Sequence, residues 1–181
     1  MLQCFSYHEA LAPYYNSTHL PKLYEESVNY YKEKNYVLSI QSLFAYLIQD
    51  VSTCMKEADG VIMYSIPHGS ILLEVVLDVS ADMLSIKAPF VQIDGSKKIP
   101  LLRKAAQLNF SPLVLSRILL EGDALYFEYK THLEDTDPEK LYDILREICM
   151  QADIYDDEFI YKYNAKRLHA LQVIHYDEAV L

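Results

Sequence analysis

Glycine and proline are scarce in this chain, and their placing decides most of what it can fold into. Four glycines (Gly60, Gly69, Gly95, Gly122) and seven prolines (Pro13, Pro21, Pro67, Pro89, Pro100, Pro112, Pro138) serve 181 residues. Both types interrupt regular elements, so they mark the joints. The longest uninterrupted stretches, 22–59 and 139–181, have room for helices, whereas the middle is cut into strand-length pieces.

In the first stretch, Ser17 or Thr18 can cap a helix that carries Pro21 in its first turn. Leu20, Leu23, Tyr24, Val28 and Tyr31 recur at helical spacing, and Lys34-Asn35 makes a stop. Val37 to about Met55 reads as a second helix, with Ile40, Leu43, Phe44, Leu47, Ile48 and Val51 at steps of three and four. The pair predicts a single αα-hairpin.

The period then changes to two. Val61–Ile66 is a strand, Pro67-His68-Gly69-Ser70 a turn, and Ile71–Val79 a strand with Ile71, Leu73, Val75, Leu77 and Val79 on one face. Met83–Ala88 completes a three-stranded antiparallel meander. Ile99–Asn109 reads as a helix with Pro100 in its first turn. Leu113–Glu121 and Ala124–Thr131 flank Gly122-Asp123 as a hairpin. Asp137-Pro138 opens a helix with the preferred cap and first residue. Its stripe of Leu141, Ile144, Leu145, Ile148 and Ala152 continues through Phe159, Ile160, Tyr163, Leu168, Leu171 and Ile174, with the acidic run Asp153–Glu158 as a point of interruption.

The order α-α-β-β-β-α-β-β-α(-α) places the chain in the α+β class with an antiparallel sheet. It is read as one domain: N-terminal helices over 1–59, an α+β core over 60–151 and a C-terminal helical extension over 152–181. Leu73, Val75, Leu77, Ile86, Leu102, Leu145 and Ile148 are expected in one core between sheet and helices.

Charge narrows the partners. Sixteen basic residues against 26 acidic ones leave a formal net charge of -10. Phosphate backbones and anionic membrane surfaces repel such a chain, so neither nucleic acid nor membrane is an expected partner. No apolar run approaches the roughly 18 residues that span a bilayer. Cys4, Cys54 and Cys149 are an odd, widely spaced set, which argues against a disulfide framework or a zinc site. The opening residues Met1–His8 lack the basic and apolar regions of a secretory signal, so the expectation is cytoplasmic.

Catalytic patterns are missing from the sequence. His8, His19, His68, His132, His169 and His175 include no i, i+4 metal pair, and neither GxSxG nor a phosphate-binding glycine loop occurs. Asp153–Glu158 lacks calcium-loop spacing. No catalytic, cofactor-binding or metal-binding residue is therefore assigned. The 16 tyrosines are the compositional oddity; tyrosine suits surfaces that are half apolar and half wet. The candidate interaction surface is Tyr24, Tyr31, Phe159, Tyr163, Leu171 and Ile174, with the first two helices as the local competitor for that stripe.

A family resemblance rests on particular stretches. Ser85-Ile-Lys-Ala-Pro89 is followed by Ile99-Pro-Leu-Leu-Arg-Lys-Ala-Ala-Gln-Leu-Asn-Phe110, whose end is similar to a Leu-x-x-Leu-Asn signature. Val114–Glu121, Gly122, Ala124–Leu133 and Asp137–Arg146 follow in order. From about Gly60 to Gln151 the chain resembles the type III secretion chaperone-like superfamily, and within it the bacterial YbjN-type group. The resemblance implies a fold in α-βββ-αββ-α order and a small, acidic, non-enzymatic protein, often dimeric, that binds other polypeptides. The chain departs from that pattern in its second N-terminal helix and in the run of its last helix past Ala152. The expected function is a non-enzymatic protein-binding module, chaperone-like or adaptor-like, that binds a polypeptide partner or itself and uses no cofactor. The alternative is a small-ligand sensor or enzyme with a pocket between helical hairpin and sheet, where polar residues such as His68, Arg117 or His132 converge.

Overall fold

The computed structural model describes residues 20–48 and 51–168. Helices α1 (Leu20–Lys32) and α2 (Tyr36–Leu47) form the expected hairpin. Two buried serines fasten it. Ser27 Oγ donates to the Ser39 carbonyl at 2.7 Å, and Ser39 Oγ donates to the Ser27 carbonyl at 2.8 Å. Each buried hydroxyl thus has its partner, as burial requires. The cap expected at Ser17 or Thr18 lies outside the described residues.

The second helix stops at Leu47 rather than running to Met55. After a short 3-10 turn at Val51–Thr53 the chain enters a strand, β1 (Met55–Ala58). The reason lies in Asp59 and Gly60, whose φ angles are both positive at 52° and 77°. Two successive positive φ values suit the two-residue turn that joins antiparallel strands. This pair reverses the chain into β2 (Val61–His68), with Ala58 opposite Val61.

Strands β3 (Ile71–Asp78) and β4 (Met83–Gln92) continue the meander, followed by α3 (Lys98–Phe110). Then come β5 (Arg117–Glu121), β6 (Ala124–His132), α4 (Pro138–Tyr163) and the short β7 (Lys166–Arg167). The sheet runs β1-β2-β3-β4-β6-β5, and its described pairings are antiparallel. From α2 to α4 the order is α-ββββ-αββ-α, the expected α-βββ-αββ-α with one added strand, β1, and α1 and β7 flank it. The fold is α+β, as the sequence implies.

One face of the sheet is buried. Leu73, Val75, Leu77, Leu84, Ile86 and Phe127 are at 0% exposure and share a core with Leu43 and Phe44 of α2 and Leu141, Ile144 and Ile148 of α4. Six of the seven expected core residues are in place. The exception is Leu102, which is half-buried while its neighbour Leu101 takes the core position. On the opposite face, charges pair across strands: Lys87 meets Glu121 at 2.6 Å, and Arg117 meets Glu128 at 2.6 Å.

Helix α4 begins as expected. The Asp137 side chain accepts from the Lys140 N–H at 2.9 Å, and Pro138 is the first helical residue. Its 26 residues span about 39 Å. The acidic run does not interrupt it, because Asp156 faces inward and is paired with Arg167 at 3.0 Å. Helix α4 nevertheless ends at Tyr163, and residues 169–181 of the expected extension lie outside the described residues. Asn164 takes the left-handed conformation (φ 57°), and the chain returns as β7 along β4 at Val91 and Gln92. That edge of β4 is open because its described pairing with β3 ends at Lys87.

Candidate functional site

Helix α3 has two apolar faces. Leu101, Ala105 and Leu108, at steps of four and three, are buried. Ile99, Arg103, Ala106 and Phe110, at steps of four, three and four, point the other way. Ile99 is 66% exposed, Phe110 is 92% exposed, and Val114 in the following loop is 83% exposed. Beside the outer stripe lies an open depression of about 580 Å³ lined by Arg103, Ala106, Gln107, Phe110 and Ser111. Arg103 has no ion-pair partner among the described residues.

This face is held firmly from behind. Lys104 pairs with Glu158 at 3.0 Å and lies 4.7 Å from the centre of the Tyr155 ring, which ties α3 to α4. The hydrogen bond from Lys104 holds the Glu158 carboxyl below the usual carboxylate range. Glu147 of α4 accepts backbone N–H bonds from Val114 at 2.9 Å and Ser116 at 2.7 Å, and the Ser116 hydroxyl at 2.7 Å. One carboxylate thus fixes the loop after α3. The Asn109 amide does the same for the neighbouring strand. Its Nδ2 donates to the Ile118 carbonyl at 2.8 Å, and its Oδ1 accepts from the Ile118 N–H. Phe110 and Val114 are therefore presented on a rigid support.

The sequence-expected surface is distributed differently. Phe159 is at 0% exposure, its ring 5.1 Å from Phe90 and 5.7 Å from Tyr163. Tyr163 is buried as well. Both are core residues rather than surface anchors, because the second half of α4 lies over the far end of β4 and the stripe turns inward. Tyr24 and Tyr31 are half-buried fasteners of the hairpin. Tyr24 packs 5.5 Å from Tyr46, and Tyr31 donates its hydroxyl to the Glu134 carbonyl at 2.6 Å. Burial raises the pKa of both, with Glu139 adding to the effect at Tyr24 and Asp137 at Tyr31. Leu171 and Ile174 lie outside the described residues.

Of the alternative site, His68, Arg117 and His132 do not come together. Phe44 of α2 stacks on Tyr64 of β2 at 4.3 Å, so aromatic packing fills that contact between hairpin and sheet. His68 and His132 lie near opposite ends of β3: His68 is opposite Ile71 and 3.6 Å from Asp153, and His132 is 3.7 Å from Asp82. Arg117 is engaged with Glu128. Among the described residues, no group of three or more His, Cys, Asp or Glu side chains is placed to hold a metal ion. No described helix is long and apolar enough to cross a membrane.

Fold and site together define an α+β sheet protein in which α3 presents the exposed Ile99 and Phe110. No protein-family model matches the chain, and no curated protein does. Among the solved structures similar to it are two complexes. One is the HopA1–SchA chaperone–effector complex, at 11% identity over 57% of this chain and 80% of that chain, with a TM-score of 0.43. The other is the ExsC–ExsE complex, at 10% identity over 52% of this chain and 74% of that chain, with a TM-score of 0.39. These likenesses concern the fold, and neither singles out the YbjN-type group.

Proposed function

We propose that this protein is a non-enzymatic polypeptide-binding module, chaperone-like or adaptor-like, working in the cytoplasm. It docks an apolar segment of another polypeptide along the outer stripe of α3, with an acidic residue of that segment opposite Arg103. The observation that carries this reading is Phe110 at 92% exposure on a rigidly braced helix end. Large apolar side chains grouped on a surface mark interaction sites, and aromatic anchors supply much of the binding energy at interfaces. The Arg103 guanidinium beside them, without an ion-pair partner among the described residues, selects for a carboxylate.

The test compares the full chain with its Phe110→Asp variant. Substituting so exposed a residue changes stability by no more than about 0.5 kcal/mol. Affinity purification from the native cell is expected to recover a stoichiometric polypeptide with the unaltered chain and not with the variant. Equal recovery by both means that α3 is not the docking face. Sedimentation equilibrium of the purified chain is read alongside. A dimer abolished by Phe110→Asp makes the occupant a second copy.

A further inference from the structure

Resting on that reading, we infer that the occupant of the α3 face is an amphipathic α-helix of another polypeptide. It seats one large apolar side chain in the hole bounded by Arg103, Ala106, Gln107 and Phe110. It sets a carboxylate against Arg103 and leans on Ile154 and Tyr161 of α4.

The shape of the site points to a helix. The open depression of about 580 Å³ is lined by Arg103, Ala106, Gln107, Phe110 and Ser111. The first four stand at i, i+3, i+4 and i+7. Residues so spaced are neighbours on a helix surface, and four of them enclose a hole that receives one knob from a facing helix. The Ala106 side chain is a single methyl group, which leaves room for that knob. Spacing along the stripe agrees. Ile99 to Ala106 and Arg103 to Phe110 are each one heptad, about 10.5 Å at 1.5 Å per residue. A facing helix repeats its own apolar stripe at that distance. A facing strand repeats every two residues, about 6.8 Å, and falls out of step.

The neighbouring helix widens the seat. Lys97 donates to the Lys162 carbonyl at 2.8 Å, Lys104 pairs with Glu158 at 3.0 Å, and the Val114 N–H donates to Glu147 at 2.9 Å. Helices α3 and α4 therefore lie side by side and run antiparallel. Ile154 and Tyr161 stand four residues before Glu158 and three after it, so they border it on the helix surface. Both are exposed. A helix laid along the α3 stripe has this second apolar edge beside it.

Charge selects the partner. Helix α3 carries Lys98, Arg103 and Lys104 and no acidic residue. Lys98 and Lys104 are paired with Asp123 and Glu158, whereas Arg103 has no ion-pair partner among the described residues. A polar residue within an apolar seam sets the register of the facing helix, and a guanidinium holds a carboxylate through two parallel hydrogen bonds. The same charge disfavours a second copy. In a two-fold contact of two α3 stripes the axis falls between Arg103 and Ala106, and the two guanidinium groups meet beside it.

Fluorescence anisotropy on the full chain tests this with synthetic peptides of three heptads, labelled and dilute enough to stay monomeric. Each has leucine at the a and d positions. One carries glutamate at e and g, a second carries lysine there, and a third is the glutamate peptide with a central proline. The glutamate peptide is expected to bind and to gain helical circular dichroism, and the other two to bind at least tenfold more weakly. A chain of net charge -10 attracts lysine peptides in general, so this order is not a bulk charge effect. Arg103→Glu should reverse the preference between the glutamate and lysine peptides. Ala106→Leu makes the face more apolar but fills the hole, and should weaken the glutamate peptide at least fivefold. Tyr161→Ala should weaken it about threefold. Equal binding of the proline peptide overturns the inference, because the occupant is then extended. A preference that survives Arg103→Glu, or no binding of any peptide, also overturns it. A dimer in sedimentation equilibrium that Arg103→Glu and Phe110→Asp both dissolve makes the occupant a second copy and overturns it as well. If the helix fails in these ways while Phe110→Asp still abolishes partner recovery, the proposed function stands without it. Helical binding with recovery untouched by Phe110→Asp does the reverse.

Discussion

Replacing Tyr64 by phenylalanine should stabilise the protein, and increasingly so as the solution becomes alkaline. The ring is at 0% exposure and stacks on Phe44 with planes 21° apart, and its hydroxyl has no hydrogen-bond partner among the described residues. An unpaired buried polar group costs about 1–3 kcal/mol. Tyr64→Phe removes that cost and keeps the ring, while the small void left by the oxygen returns part of it. The net gain at neutral pH is about 1 kcal/mol, or about 2–4 °C in Tm for a chain of this size. Burial also pushes the Tyr64 pKa up to about 12, with Cys54 and Glu57 adding to it. In the unfolded chain a tyrosine loses its proton near pH 10. Between these values the unfolded state binds fewer protons than the folded one, so stability falls as pH rises. Two units amount to about 2.7 kcal/mol at 1.36 kcal/mol each. Phenylalanine has no proton to lose, so the advantage of Tyr64→Phe grows to roughly 3–4 kcal/mol by pH 12. Guanidinium unfolding followed by circular dichroism at pH 7, 9, 10, 11 and 12 measures both parts. A variant less stable than the parent at pH 7, with an unchanged alkaline slope, would show that the hydroxyl is paired and the argument wrong.

Other substitutions probe the supports. Leu77→Ala, at a fully buried position of β3, should cost about 2–5 kcal/mol in denaturant unfolding; an unchanged midpoint would contradict the assigned sheet face. Glu147→Gln keeps the shape but weakens the acceptor for the Val114–Ser116 loop, and a loss of about 1–3 kcal/mol with faster exchange of those amides is expected. Gly69 has φ 51°, and a Cβ there would stand 2.7 Å from Asp153 Oδ1. Gly69→Ala should therefore cost about 1–2 kcal/mol from the backbone alone and more from the clash, with the excess recovered by adding Asp153→Ala; strictly additive losses would mean the close approach is not felt.

Much of the architecture can be read from local chemistry. The Asp137-Pro138 cap, the Gly122-Asp123 turn and the alternation of β3 each dictate one conformation without help from distant residues. Strand β1 is less legible. Met55–Ala58 is short and largely exposed, so it has no alternating pattern, and α2 is apolar enough to suggest continuing through it. Asp59-Gly60 is the signal that gives it away, since that dipeptide favours a two-residue hairpin and needs a strand on either side. The docking face is hidden for another reason. Ile99, Leu101, Leu102, Ala105, Ala106, Leu108 and Phe110 surround α3, and periodicity alone cannot say which of two apolar faces the rest of the chain will cover. Phe159 and Tyr163 show the same ambiguity resolved the other way. Their direction depends on Phe90, which is far away in sequence.

The amide of Asn109 has a consequence for how copies of this protein behave when crowded. Strand β5 is the last in its sheet, and Ile118 offers its N–H and C=O outward, where the Asn109 side chain takes both. Alternation along the strand leaves Leu120 as the next residue with outward-facing groups. An incoming strand needs several consecutive partners to register, and it meets a site already filled. Ordered aggregation from this edge must therefore wait for the end of α3 to fray, which turns a surface event into one gated by local unfolding. Pairing through β5 should accordingly track the stability of the α3 C-terminus rather than the hydrophobicity of the strand.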